Sequence, residues 1–157
     1  MQLVVLGLNH KTVPVDIREQ FAISPDSARS GLIHLDEQEG IEEAVVLSTC
    51  NRTEIYAVLK DETAKETLYD FFLALSGNSE AKDEYFFYFE GEACIRHLFE
   101  VVSGLDSMVI GESQILNQIK TAYTMALEEK ATRTILNTLF PVSYTHLRAH
   151  ETLSDLV

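Results

Sequence analysis

The chain has no tryptophan, three prolines and two cysteines in 157 residues. Two thiols, Cys50 and Cys94, do not make a disulfide-stapled scaffold. The N-terminal run Met1-Gln2-Leu3-Val4-Val5-Leu6 has no basic segment ahead of its apolar residues, so it reads as a strand rather than a secretory signal. Both features point to free thiols in a reducing, cytoplasmic setting. Basic residues are scarce too, with 12 lysines and arginines against 25 aspartates and glutamates and a formal net charge of −13. Phosphate contacts dominate nucleic-acid affinity and need local positive potential. That balance argues against an autonomous nucleic-acid binder, although not against one part of a larger binder. No apolar run approaches the roughly 20 residues of a membrane span. No Gly-x-Gly-x-x-Gly opens a helix after a strand, so the dinucleotide fingerprint is missing.

The length allows one domain of ordinary size, and its elements can be read in order. Residues 2–9 form an apolar run ending Gly7-Leu8-Asn9, a buried first strand. Residues 13–21 hold a short helix with Pro14 near its start. Ser24-Pro25, an N-cap followed by proline at the first helical position, opens a helix carrying Ala28, Leu32 and Leu35 and stopped by Gly40. Strands over 43–49 and 53–60 make a hairpin with a polar loop. Leu68, Phe71, Phe72 and Leu75 give a helix over 63–76, ended by Gly77-Asn78. Five consecutive aromatics, Tyr85 to Phe89, predict a fourth strand covered on both faces. The order β-α-β-β-α-β fits an α+β class, a ferredoxin-like antiparallel sheet covered by helices. Helices alone follow, over 91–102, 112–129 and 132–140, as an appended C-terminal segment. The second of these carries Ile115, Ile119, Ala122, Tyr123 and Ala126 on one stripe.

The polar segment between the second and third strands is the one candidate for chemistry. In Leu47-Ser48-Thr49-Cys50-Asn51-Arg52-Thr53-Glu54-Ile55-Tyr56 a thiol stands two residues from a guanidinium. Cysteine attacks only as thiolate, and a nearby cation favours that form. Arg52 is equally suited to grip a carboxylate through a bidentate fork. Taken alone, Cys-x-Arg also describes an unreactive loop cysteine. Cys94 shares a helix face with His97, Leu98 and Val101 and reads as a small core residue. His97 points inward on that face, where a histidine satisfied by a backbone carbonyl is the plain alternative. His146 and His150 stand at i, i+4 spacing, but no further ligand completes a metal site.

The segment from Ser48 to Tyr56 resembles the signature of glutamyl-tRNA reductases, which open the five-carbon route to 5-aminolevulinate and the porphyrins. The resemblance continues at Gly7-Leu8-Asn9-His10-Lys11-Thr12, at His97-Leu98-Phe99 and from Ser103 to Leu116, in family order. It implies the N-terminal catalytic domain of an NADPH-dependent oxidoreductase. Residues 1–110 would be the ferredoxin-like substrate-binding unit. Residues 111–140 would be a long helix leading toward an NADPH-binding domain beyond this chain. Residues 141–157 would be a tail outside the family pattern, similar to translated adapter sequence.

The resemblance makes Cys50 the nucleophile that forms a thioester with the glutamyl group, on the way to glutamate-1-semialdehyde. It gives His97 a catalytic part, polarising the ester carbonyl or protonating the leaving tRNA hydroxyl. It sets Arg52 to bind the glutamyl carboxylate or carbonyl oxygen, with a surface arginine as the plain alternative, and Glu54 to hold the substrate ammonium or orient Arg52, with an outward strand residue as the alternative. Thr49 and Asn51 supply hydroxyl and amide contacts. Ser107, Glu112, Ser113, Gln114 and Gln118 match positions that contact the glutamyl moiety, with helix capping around Gly111 as their plain alternative. Cys50, Arg52, His97 and Ser107 or Gln114 are expected to line one cleft. The implied partners are glutamyl-tRNA, a second copy bound through the absent domain, and a glutamate-1-semialdehyde aminomutase. Two other readings stand beside this one. One is a non-catalytic ferredoxin-like binding or regulatory fragment, and the other is a generic cysteine hydrolase using Cys50, His97 and Asn51.

Overall fold

The computed structural model describes residues 1–104 and 114–155, and for 146–155 the backbone course alone. Strands β1 (Gln2–Asn9), β2 (Ile41–Ser48), β3 (Arg52–Leu59) and β4 (Phe87–Glu90) form one sheet in the order β2-β3-β1-β4, antiparallel at every junction. The two β-α-β halves interleave, so β1 and β3 share the centre, as the ferredoxin-like expectation requires. Every residue of β3 is buried. The helices are α1 (Val15–Gln20), α2 (Pro25–Ile33), α3 (Lys65–Ser76), α4 (Glu92–Ser103), α5 (Ile115–Glu128) and α6 (Thr134–Asp155). Among the described residues, no helix is long and apolar enough to cross a membrane.

Local chemistry sets most helix ends. Ser24 caps α2, its Oγ accepting from Ser27 N at 3.1 Å, with Pro25 at the first position. The expected run to Gly40 is not continuous. α2 carries the poor helix formers Ser30 and Gly31 and ends at Ile33. A 3₁₀ turn, Leu35–Glu37, then turns Leu35 into the core. α3 closes on Gly77 at φ 76°, and Asn78 N donates to Leu73 O at 2.9 Å.

The aromatic run departs from the sequence expectation. Tyr85 belongs to a 3₁₀ turn and β4 is a half-buried edge strand, paired with β1 alone. Its two faces still divide the work. Phe86 meets Phe21, Tyr69 and Phe72 edge-on, and Tyr88 lies under Lys65 Nζ. Phe87 and Phe89 stack at 5.0 Å and both pack against His97 of α4.

The other edge, β2, is covered. Ala44 N donates to Ala131 O at 2.9 Å. Glu43, only 2% exposed, accepts from Arg133 N at 2.6 Å and Leu136 N at 2.9 Å, so a strand carboxylate caps the start of α6. The register shift between Ile41 and Glu43 falls at this side chain. α6 then passes through Pro141. Ser143 is buried with its Oγ donating to Phe140 O at 2.6 Å, and Tyr144 packs against the core. The helix therefore carries the chain across the boundary expected at residue 141.

Candidate functional site

Successive side chains of a strand point to opposite faces, so Arg52, Glu54 and Tyr56 of β3 share one face. α4 crosses that face and presents Cys94, His97, Leu98 and Val101, all buried, on a single stripe. The consequence is a network centred on one carboxylate. Arg52 Nη1 donates to Glu54 Oε2 at 3.2 Å, His97 Nε2 lies 2.6 Å from the same oxygen, and Tyr56 O–H donates to Oε1 at 3.0 Å. Arg52 is 1% exposed, Glu54 0% and His97 5%. A buried charge pair is tolerated only with good geometry and further hydrogen bonds, and three donors on one carboxylate meet that condition. The His97 ring is boxed by Phe87, Phe89 and Tyr56 at 4.9, 5.3 and 6.4 Å.

Gly7 makes the network possible. It lies across from Glu54 on one side and Phe87 on the other. A Cβ there would stand 2.8 Å from Glu54 Cγ, 2.8 Å from Thr53 O and 2.9 Å from Phe87 Cζ. Burial, and next the Glu54 carboxylate, push the Tyr56 hydroxyl well above its usual range. The same two causes push the Cys94 thiol up to about 12. Cys94 is thus the inert core thiol that its helix face predicts.

Cys50 is exposed, on the three residues Thr49, Cys50 and Asn51 that close the β2–β3 hairpin. Thr49 N donates to Arg52 O at 2.8 Å, and Asn51 N donates to Thr49 Oγ1 at 3.2 Å. Two further bonds reach the loop from outside. Arg18 of α1, 8% exposed, donates from Nε to Cys50 O at 3.3 Å and from Nη1 to Val13 O at 2.9 Å. Ile23 N donates to Ser48 Oγ at 3.0 Å, and that hydroxyl lies 3.2 Å from Thr53 Oγ1. The Gly7–Thr12 block ends in a turn built on Asn9, whose carbonyl accepts from Thr12 N and Val13 N, both at 3.0 Å. This turn sets Val13 where Arg18 reaches it. Sequence reasoning missed Arg18, because Asp16-Ile17-Arg18-Glu19 reads as an ordinary exposed helical turn.

A cavity of about 490 Å³ opens between α2, β2 and α5, lined by Ile23, Ala28, Leu47, Ser48, Gln114 and Gln118 among others. Gln118 Oε1 is buried there without a hydrogen-bond partner among the described residues. Of the candidate site residues, the structure joins Arg52 and His97, both expected in one cleft, with Glu54 in the buried network. It sets Gln114 and Gln118 in the cavity beside Ser48, at the foot of the Cys50 loop. No hydrogen bond links His97 to Cys50 among the described residues. Ser107, Glu112 and Ser113 lie outside the described residues. No group of three metal-binding side chains occurs among the described residues.

The family model for the glutamyl-tRNAGlu reductase N-terminal domain matches residues 6–148. The glutamyl-tRNA reductase of an Exiguobacterium species is 47% identical over 153 residues, covering 96% of this chain and 34% of that protein. Its counterpart from Rubrobacter xylanophilus is 46% identical over 143 residues, covering 89% and 33%. The solved glutamyl-tRNA reductase from Methanopyrus kandleri superposes with a TM-score of 0.77 at 31% identity, covering 96% of this chain and 34% of that one. The chain spans about a third of the length of these proteins.

Proposed function

The chain belongs to the glutamyl-tRNA reductase family, in the part that is its N-terminal domain, and from that premise we propose that it performs the acyl-transfer half of that enzyme's reaction. The observation that carries the reading is the setting of Cys50: an exposed thiol on a tightly pinned loop, two residues from a buried guanidinium held by Glu54. The Cys50 thiolate attacks the ester carbonyl of glutamyl-tRNA. A C–S bond forms, the C–O bond to the ribose breaks, and the leaving ribose oxygen takes a proton from water. Arg52 supplies positive charge beside the loop for the glutamyl carboxylate or the developing oxyanion.

Glu54 is enclosed by three protein donors, so it orients Arg52 rather than holding the substrate ammonium. His97, with Nε2 on Glu54, contributes by keeping that carboxylate and Arg52 in place. The substrate ammonium instead suits Gln118, whose buried oxygen has an acceptor position to offer. The commitment of His97 Nε2 to Glu54 also disfavours the cysteine-hydrolase reading, which needs a Cys–His pair.

NADPH supplies hydride in the reaction implied for the full-length enzyme, which yields glutamate-1-semialdehyde. The residues here do not fit that cofactor. The described sheet is antiparallel throughout, and the sequence has no glycine-rich turn between a strand and a helix. No hydride step is assigned to this chain. Homodimer formation and the aminomutase partner likewise belong to the full-length reading.

The test is to incubate the chain with glutamyl-tRNA, with and without NADPH, and follow both products. Water resolves the thioester by breaking the C–S bond, so glutamate and free tRNA are expected. Cys50→Ser abolishes deacylation and Cys94→Ser preserves it. Deacylation that survives Cys50→Ser would refute the nucleophile, and NADPH-dependent aldehyde from this chain alone would refute the division of labour.

A further inference from the structure

We propose that Arg18 is a positioning residue for the acyl-transfer step, holding the peptide of Cys50 so that the thiol meets the ester in one orientation. The inference rests on the reading of Cys50 as nucleophile. Thr49 N and Arg52 O close the hairpin ladder, leaving Cys50 and Asn51 beyond the last strand-to-strand bond. The sheet therefore does not set the Cys50 carbonyl. Arg18, 32 positions away in sequence, donates to it directly.

A guanidinium is costly to bury unless it is hydrogen-bonded. Arg18 is 8% exposed on a six-residue helix that otherwise shows mostly exposed side chains. Among the described residues it donates to two carbonyls, Val13 O and Cys50 O, which tie the segment after β1 to the reactive loop. The rigid fork of arginine spans two such acceptors in a way that a single point charge does not. The Ile23 N bond to Ser48 Oγ adds a second anchor from the same stretch, at the opening of the loop. Residues 18–23 thereby grip the loop at its start and at the nucleophile. A displacement of about 1 Å between reacting groups can cost on the order of 100-fold in rate, so a side chain that fixes this peptide bears on the chemistry without touching substrate.

The experiment compares the 157-residue chain with its Arg18→Gln and Arg18→Lys variants. Two quantities are read: steady-state deacylation of glutamyl-tRNA, resolved into kcat and KM, and alkylation of Cys50 and Cys94 by iodoacetamide. In Arg18→Gln, kcat is expected to fall roughly 10- to 100-fold with KM within about 3-fold. Arg18→Lys, which keeps a cationic donor, recovers part of that loss. Cys50 alkylation stays near the unmodified rate, because a small reagent needs no fixed approach to an exposed thiol. Cys94 stays protected, which reports an intact core. An unchanged kcat in Arg18→Gln would overturn the proposal. Exposure of Cys94 in both variants would also overturn it, by making Arg18 a residue of the fold alone. A failure of the nucleophile reading is separate and visible, as full deacylation by Cys50→Ser.

Discussion

Replacing Glu54 with alanine tests the buried network most directly. The wild-type carboxylate is fully buried and accepts from Arg52, His97 and Tyr56. Truncation takes the Glu54 carboxylate away from the Arg52 guanidinium, which is 1% exposed. Breaking a buried pair by removing one partner costs about 3–5 kcal/mol. Each orphaned neutral donor adds about 1–3 kcal/mol, though not additively, since all three face one vacated volume and water can enter it. A loss of about 4–6 kcal/mol follows from these terms. Domains of this size are stable by only about 5–15 kcal/mol, so the variant should fold marginally. In urea, with a slope of about 2 kcal/mol/M, the unfolding midpoint drops by about 2–3 M. The control is Arg52→Met combined with Glu54→Leu. Removing both charges should cost less than Glu54→Ala alone, because the penalty lies in a buried cation that has lost the Glu54 carboxylate. Circular dichroism against urea measures both. A loss under about 1 kcal/mol for Glu54→Ala, or a double variant as costly as the sum of its singles, would refute the reasoning.

Other expectations follow from the same geometry. Gly7→Ala places a methyl 2.8 Å from a backbone oxygen, so it should cost about 1–3 kcal/mol by overpacking and reduce deacylation by displacing Glu54, both read by urea unfolding and the tRNA assay. Glu43→Gln keeps one acceptor but loses the charge at the start of α6, and a stability loss of about 1–2 kcal/mol is expected in the same unfolding experiment. Alkaline pH should destabilise the fold through Cys94, whose thiol rises from 9.0 to about 12 on burial. The unfolded chain ionises first, so the contribution is full below pH 9 and lost as pH climbs to 12, a span worth about 4 kcal/mol. Cys94→Ala should flatten that arm of a stability-against-pH curve only in part, because Tyr88, raised to about 12, and Tyr56, raised by burial and by Glu54, add to the same alkaline loss.

Local pattern carried much of the fold. The period of the apolar residues, the Ser24-Pro25 start and the Gly77 stop each act within a few residues, so the β-α-β-β-α-β order could be read directly. The alternation Glu54, Tyr56 could likewise be read within the strand expected over 53–60, whereas Arg52, placed in the loop before it, joins that face because β3 begins one residue earlier. The α2 overrun and the aromatic strand show where pattern fails. Helix continuation depended on how Leu35 reaches the core, and the cover over Tyr85–Phe89 depended on the place of β4 at the sheet edge. Neither is a local property. Arg18 and Glu43 were invisible for a stronger reason: each is an ordinary surface residue by its neighbours, and each gains its role from a partner 32 to 93 positions away.

His97, likewise, could be placed on a face yet not given a partner. Helical spacing puts it beside Cys94 and Leu98, pointing inward, and strand alternation puts Glu54 on one side of β3. Which carboxylate a buried histidine meets depends on the register that sets Gly7 across from Glu54. Any residue with a Cβ at position 7 would occupy the space that Glu54 and Phe87 share. Without that space the Glu54 carboxylate cannot lie between Arg52 and His97. Three residues that look unremarkable singly are therefore one functional unit, and substitutions at Gly7, Glu54 and His97 should prove strongly non-additive in a multiple-mutant cycle on deacylation. Additive effects within about 0.5 kcal/mol would mean that the buried network and the reactive loop are energetically separate.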